Sequence, residues 1–451
     1  MNARSLCFVG LFLVSCSSAS SAPPPAPSWT DAPSTLSVRQ GTEVLVPLTI
    51  HASNASAVNV AASAPDGMTV QTTSAGIEVR AGFEIDGMQT ISVTLSDANG
   101  TTEVDVPVQV TPLDWKTKLS WTQAGPEPRE HGTFFFDATA RVAWLFQGSG
   151  YEPNVTQGTP IEDDWKLDLT SGAWSQWTGT GDVPPPAGSR RAVQADAKSY
   201  YMFGGYSGAS GETDDGDTYR VDLSGAVPAF TRLTATGAIP ARSLHVMGWD
   251  APHNRLVVFG GIVDATYDVL NDTWLGAVSG DTVTWTQLPK TGAVPTGRYG
   301  SFGGLDAKND RLIVFSGAQE PKNQSDLVRA AQDTWVLDLT AEPPMWTQLS
   351  PAGTSPPGRR NGCGVMDPTN GRLLVFGGTS DGATTQPGLF SLDLTAGAEE
   401  WDAIARDDAP HIRSSGFGFA DAKTGDVYCG FGNDDVAYPD LSSLGYAAQT
   451  P

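Results

Sequence analysis

From residue 29 to about 112 apolar residues fall at every second position, as at Val44, Val46, Leu48 and Ile50. That spacing belongs to half-buried strands with one face in a core. Asn99-Gly100 suits a two-residue hairpin turn of type I′, which sets Leu95 opposite Val104, Val93 opposite Val106 and Ile91 opposite Val108. All three pairs are apolar, so turn chemistry and register agree. The segment is predicted to be a small β-sandwich in which Asp97 and Asn99 serve as turn residues and not as calcium ligands. Beyond residue 113 the pattern changes to short apolar runs ending at Phe146, Phe203, Phe259, Phe315 and Phe376, at steps of 57, 56, 56 and 61 residues. A degenerate sixth copy, Asp426-Val-Tyr-Cys-Gly430, follows. A period of this size predicts stacked, similar sheets, with each run apolar on both faces because neighbours pack on both sides of it.

After each run come Gly-Gly (204–205, 260–261, 377–378) or a degraded form of it (Gln147-Gly148, Ser316-Gly317), a variable loop, an Asp-x-Trp or Asp-x-Tyr, and a strand such as Trp-Thr-Gln-Leu. The full set recurs in Asp272-Thr-Trp274 with Trp285 and in Asp333-Thr-Trp335 with Trp346, while Phe390 replaces the usual Trp. These residues resemble the kelch family over about 113–451. The resemblance implies an all-β fold, a six-bladed kelch-type β-propeller, similar to the central domain of galactose oxidase. The 29–112 segment resembles immunoglobulin-like or cadherin-like sandwiches. The last copy ends without a Trp strand, and Trp121-Thr122-Gln123 stands spare before the first. Residues 113–124 are therefore expected to complete the last blade and leave no long strand edge.

Of the 13 Trp residues only Trp29 lies outside the repeats; indoles copied from blade to blade are expected to fill space between blades, since a cofactor site needs no copying. With 27 Lys and Arg against 50 Asp and Glu, a net charge of −23 argues against nucleic acid as a partner. At 451 residues the chain exceeds one core, which stops growing near ~250–300 residues. Arg4 and the apolar stretch Leu6 to Val14 read as a secretory signal too short to span a bilayer. Leu13-Val14-Ser15-Cys16 resembles the bacterial lipobox, which implies lipidation at Cys16 and an exported, outer-membrane lipoprotein facing the periplasm or the cell surface. The division is thus a signal at 1–16, a Pro/Ser-rich linker at 17–28, the sandwich at 29–112 and the propeller at 113–451.

The variable loops and the crossovers between blades emerge on one face of such a ring, where binding surfaces are built. Crossover arginines recur at Arg129, Arg190, Arg242, Arg298, Arg359 and Arg413. Recurrence favours a structural ring, each arginine paired with Asp164, Asp217, Asp272 or Asp333. A single ligand site must be asymmetric, so residues that break the repeat are the binding candidates: His131, Tyr206, His245, Tyr267, Tyr299, Lys322, Arg329 and His411. The three histidines lack local metal-ligand spacing, the acids Glu212, Asp214, Asp215 and Asp217 read as a solvated rim, and Cys363 and Cys429, in neighbouring blades, read as two buried thiols, although an exported location permits a disulfide between them. No metal and no cofactor is expected. The leading reading is a monomeric, membrane-anchored binding or scaffolding protein whose loop face engages a protein or a glycan. The competing readings are a galactose-oxidase-like or sugar-acid-epimerase-like enzyme, for which no nucleophile, zinc or phosphate-loop motif is present, and an adhesive envelope component.

Overall fold

A computed structural model describes residues 24–53, 57–120, 125–150, 159–207, 213–319, 329–382, 384–406, 409–434 and 438–447. Among them there is no α-helix, and no helix long and apolar enough to cross a membrane. Cys16 and Lys322 lie outside the described residues. The chain forms two compact units. The first holds residues up to Ser37, Glu43–Arg80 and Met88–Gln109; the second holds Val38–Thr42, Ala81–Gly87 and Val110 onward.

In the N-terminal part, one sheet runs Leu36–Arg39, Gly100–Thr111, Gly87–Asp97 and Asn59–Ser63, and another runs Glu43–Val46, Gly76–Ala81 and Met68–Thr73. Ile91, Val93, Leu95, Val106, Val108 and Val110 are buried, alternating with less buried residues, as the period of two requires. The hairpin register is not the expected one. The turn residues are Ala98 and Asn99, neither with positive φ, so the turn is not type I′. The Asp97 side chain accepts the Asn99 N–H at 2.7 Å, a local bond that competes with the Asn-Gly turn. Ser92 donates to Asp105 across the strands, which fits a pairing two residues earlier than expected. A shift of two leaves every side chain on its predicted face, which is why apolar pairing alone could not detect it.

The second unit repeats one four-stranded antiparallel pattern. Its first example is Thr133–Asp137, Val142–Phe146, Asp164–Asp168 and Ala173–Trp177. Among the described residues six sheets follow this order, and three add a short parallel fifth strand. The leading strand of each sheet contacts that of the next, and Phe417–Asp421 of the last returns to Thr133–Asp137, so the sheets close in a circle. The second strands carry the predicted apolar runs: Leu312, Ile313, Val314 and Phe315 are fully buried. Clusters such as Phe135, Phe146, Trp177, Met202, Tyr219 and Phe230 fill the space between neighbouring sheets.

The last sheet takes its outer strand from upstream. Leu113–Ser120 pairs with Asp440–Tyr446, beside Asp426–Gly430 and Phe417–Asp421. The expected tryptophan is corrected, because Trp121 lies outside the described residues and Trp115 holds the equivalent register. In the other sheets Trp174, Phe230, Trp285, Trp346 and Trp401 stand opposite Leu167, Val221, Gly276, Leu337 and Leu392; Trp115 stands opposite Leu444, with a bulge after it. Where the opposite residue is Gly276, a Cβ would lie 2.7 Å from the Trp285 ring, so the glycine is spatial in origin. The reading of Cys363 and Cys429 as free thiols is also corrected, since they form a disulfide between the fifth and sixth sheets. Gly418, paired with Cys429, makes the room: a Cβ there would lie 3.0 Å from Cys363 Sγ.

Candidate functional site

The recurrent arginines are spent inside the protein. Arg242 makes a two-pronged pair with Asp272 at 2.6 and 2.9 Å, and Arg298 pairs with Asp333 at 2.6 and 3.1 Å. The same carboxylates accept the indole N–H of Trp274 and Trp335. Burial would raise the Asp272 carboxyl, but the hydrogen bond and charge of Arg242 outweigh it and hold it below its ordinary range. The partners differ from expectation in two sheets: Arg129 takes Asp163 and not Asp164, and Arg190 takes Asp215, while Asp217 pairs with Arg232. Asp-x-Trp predicts this at the first site, since Asp163 precedes Trp165 by two residues and accepts its N–H at 2.7 Å. Arg413 is paired with Asp440. In the fifth sheet Gly388 and Phe390 replace both the acid and the indole; Arg359 lies over the Phe390 ring, donates to Gly377 and Pro387 carbonyls, and is pushed down to about 10 by burial. Breaking one such buried pair costs about 3–5 kcal/mol, so these six arginines support the scaffold.

Two residues after the arginine in five of the sheets, the backbone turns through the left-handed region. The positions are His131, Leu244, Gly300, Asn361 and Ser415, joined by Ser189 in the second sheet, with φ between 53° and 62°. Their backbones are linked in sequence around the circle. His131 N–H donates to Ser415, Ser189 to His131, Gly300 to Leu244, Asn361 to Gly300 and Ser415 to Asn361. The sixth link, from Leu244 to Ser189, is not made. The irregularity has a sequence cause: in the second sheet Ala187 occupies the usual arginine place, and Arg190, one residue past the turn, does the arginine's work from there, donating to Gly204 and Pro185 carbonyls. Arg191 follows, and its Nε donates to the His245 carbonyl at 3.0 Å, across the gap in the ring.

Beneath this ring lies a cavity of about 160 Å³ lined on one side by Arg190, Arg191 and His245 and on the other by glycines and the rings of Phe302 and Phe417. Of the eight binding candidates His245 lines this cavity, and His131 lies within reach of the charge of Arg191, which also lines it. Burial, and then the charges of Arg191 and Arg360, push the His131 imidazole down to about 3. His245 is fully buried, edge-on to Phe203 at 5.3 Å, and neither ring nitrogen has a protein partner. Tyr299 joins them indirectly: its hydroxyl accepts from Arg360 at 2.9 Å and its ring lies under that guanidinium. The other described candidates stand apart. Tyr206 is buried and paired with Gly188, Tyr267 and Arg329 are exposed, and His411 is exposed against Tyr438 and Asp434. Arg191, Arg360 and Asn361 were missed. Arg-Arg at 190–191 and 359–360 was visible in the sequence, but the recurrent arginine in each pair masked its neighbour.

Circularly closed sheets of this kind form a β-propeller, and the Asp-x-Trp and glycine repeats that they carry are similar to kelch repeats. Residues 249–450 match the KLHDC2/KLHL20/DRC7 Kelch-repeats domain. The chain is similar to Adagio-like protein 1 of Oryza sativa subsp. japonica, 27% identical over 272 residues, which are 57% of this chain and 40% of that protein. It is also similar to Kelch domain-containing protein 2 of Bos taurus, 25% identical over 260 residues, which are 52% of this chain and 60% of that protein. The chain thus spans about two fifths of the length of the rice relative. Among solved structures, that titled "Structure of YjhT" aligns with 70% of this chain and 95% of its own, at 15% identity and a TM-score of 0.46.

Proposed function

We propose that this protein is an exported, lipid-anchored binding protein: a six-bladed propeller carried behind an immunoglobulin-like domain, tethered through Cys16, with its loop face engaging a protein or glycan. The observation that carries the reading is the closed set of arginine pairs. Because the repeated charges are satisfied within the scaffold, recognition falls to the parts that differ between sheets, which are the exposed loops bearing Tyr267, Arg329 and His411. The similarity to kelch-repeat proteins supports an interaction role, and the disulfide supports export, since such bonds persist in oxidising compartments. Pull-down from envelope extracts with the full chain, and with Tyr267, Arg329 and His411 together replaced by Ala, tests it. The bound set should be lost in the triple variant but kept when exposed Met345 is replaced; an identical bound set with the triple variant overturns the loop-face reading.

A further inference from the structure

We propose that the cavity beneath the ring binds a small oxyanion, a carboxylate or phosphate, gripped by the Nη groups of Arg191. Arg191 is spent on no acid: it lines the cavity, and among the described residues its side chain makes one hydrogen bond, from Nε to the His245 carbonyl. Buried arginines elsewhere in this chain face carboxylates or stack on a ring; here burial acts on the Arg191 guanidinium with no opposing acid. A second cation, Arg360, has a tyrosine hydroxyl and a ring for partners and no carboxylate. In a chain of net charge −23, two guanidiniums without acids, both close enough to act on His131, leave positive charge uncompensated near the cavity.

The second observation is the polar deficit at the same place. Both ring nitrogens of fully buried His245 lack partners, and the ring link from Leu244 to Ser189 is missing beside it. Buried polar groups are rarely left unsatisfied, and an anion whose oxygens meet Arg191 would bring acceptors to this side of the cavity. The opposite wall fits a small ligand. A Cβ at Gly362 or Gly364 would meet the Phe302 ring at under 3 Å, so these glycines let the phenyl rings close against the cavity. About 160 Å³ holds a phosphate or a short carboxylate but no sugar chain. A planar guanidinium fork suits carboxylate and phosphate oxygens, and each charged hydrogen bond adds affinity.

The inference does not depend on what the loop face binds. Its test is calorimetric titration of the full chain with inorganic phosphate and with acetate, at constant ionic strength set by chloride. Saturable binding of at least one is expected, weakened at least tenfold in Arg191→Met and less in Arg191→Lys, which keeps the charge but not the fork. Arg360→Met, which leaves the cavity wall intact, should weaken binding by a smaller factor and serves if the Arg191 variants do not fold. Absence of saturable binding of both anions by the natural chain, or binding unchanged in a folded Arg191→Met, overturns the proposal; loss of loop-face capture alone leaves it standing.

Discussion

Replacing Trp115 by Ala tests whether the upstream strand holds the last sheet together. Trp115 is half-buried against the cluster of Leu374, Phe376, Leu389, Leu444 and Tyr446, and its ring meets Phe376 edge-on at 5.4 Å. Complete truncation of a buried Trp costs about 3–5 kcal/mol. Half burial brings this to about 2 kcal/mol, and the lost edge-to-face pair adds about 0.5–1.5 kcal/mol, so about 3 kcal/mol is expected. Trp401, at the same register and 1% exposed, should lose about 3–5 kcal/mol on the same change, whereas exposed Met345→Ala should stay within about 0.5 kcal/mol. Urea unfolding followed by circular dichroism measures the three losses, and hydrogen exchange locates them. Amides in Asp440–Tyr446 should exchange faster in Trp115→Ala, because their partner strand is loosened. A loss under about 0.5 kcal/mol with unchanged protection in that strand would refute the closure argument.

Three further outcomes are expected. The disulfide closes a loop of 66 residues, so Cys429→Ala or reduction should destabilise the second unit by about 4 kcal/mol in the chain-entropy picture; two freely alkylated thiols in the native, unreduced protein would contradict it. His131, held neutral with its pKa pushed from 6.5 to about 3, binds a proton in the unfolded chain that the native state refuses, so it contributes a loss of stability as pH falls from 6.5 toward 3. Asp164, raised to about 7 by burial, acts in the opposite direction, so the measurement is a difference: His131→Asn, which tolerates positive φ, should flatten the acid side of the stability curve, and an unchanged slope would remove His131 from the account. Cys16→Ser should release the protein from membranes, and continued anchoring without lipid would end the lipoprotein reading.

The repeat was legible because packing between like sheets demands the same residues at the same step: Phe146, Phe203, Phe259, Phe315 and Phe376 all end second strands. The outer strand of the last sheet was legible as a segment but misplaced within it, since Trp121-Thr-Gln is the better letter match while the bulge after Trp115 sets the register. The disulfide was obscured because nothing in a linear sequence sets Gly418 beside Cys363. At the candidate site, the rule that asymmetry marks function found His131 and His245. It missed Arg191, because a displaced arginine doing a repeated task, Arg190, hid the shift that frees its neighbour.

Sharing one sheet between residues 113–120 and 440–446 sets the order in which the protein can be made. Leu113 emerges early in synthesis, yet the strand that holds it ends at Tyr446, more than three hundred residues later. Contacts this distant in sequence are late and slow to form, and until then an unpaired edge is open to aggregation. A chain read from its N-terminus must therefore carry its first propeller strand unclasped while more than three hundred further residues are made. Truncation near the C-terminus would damage both ends of the fold at once.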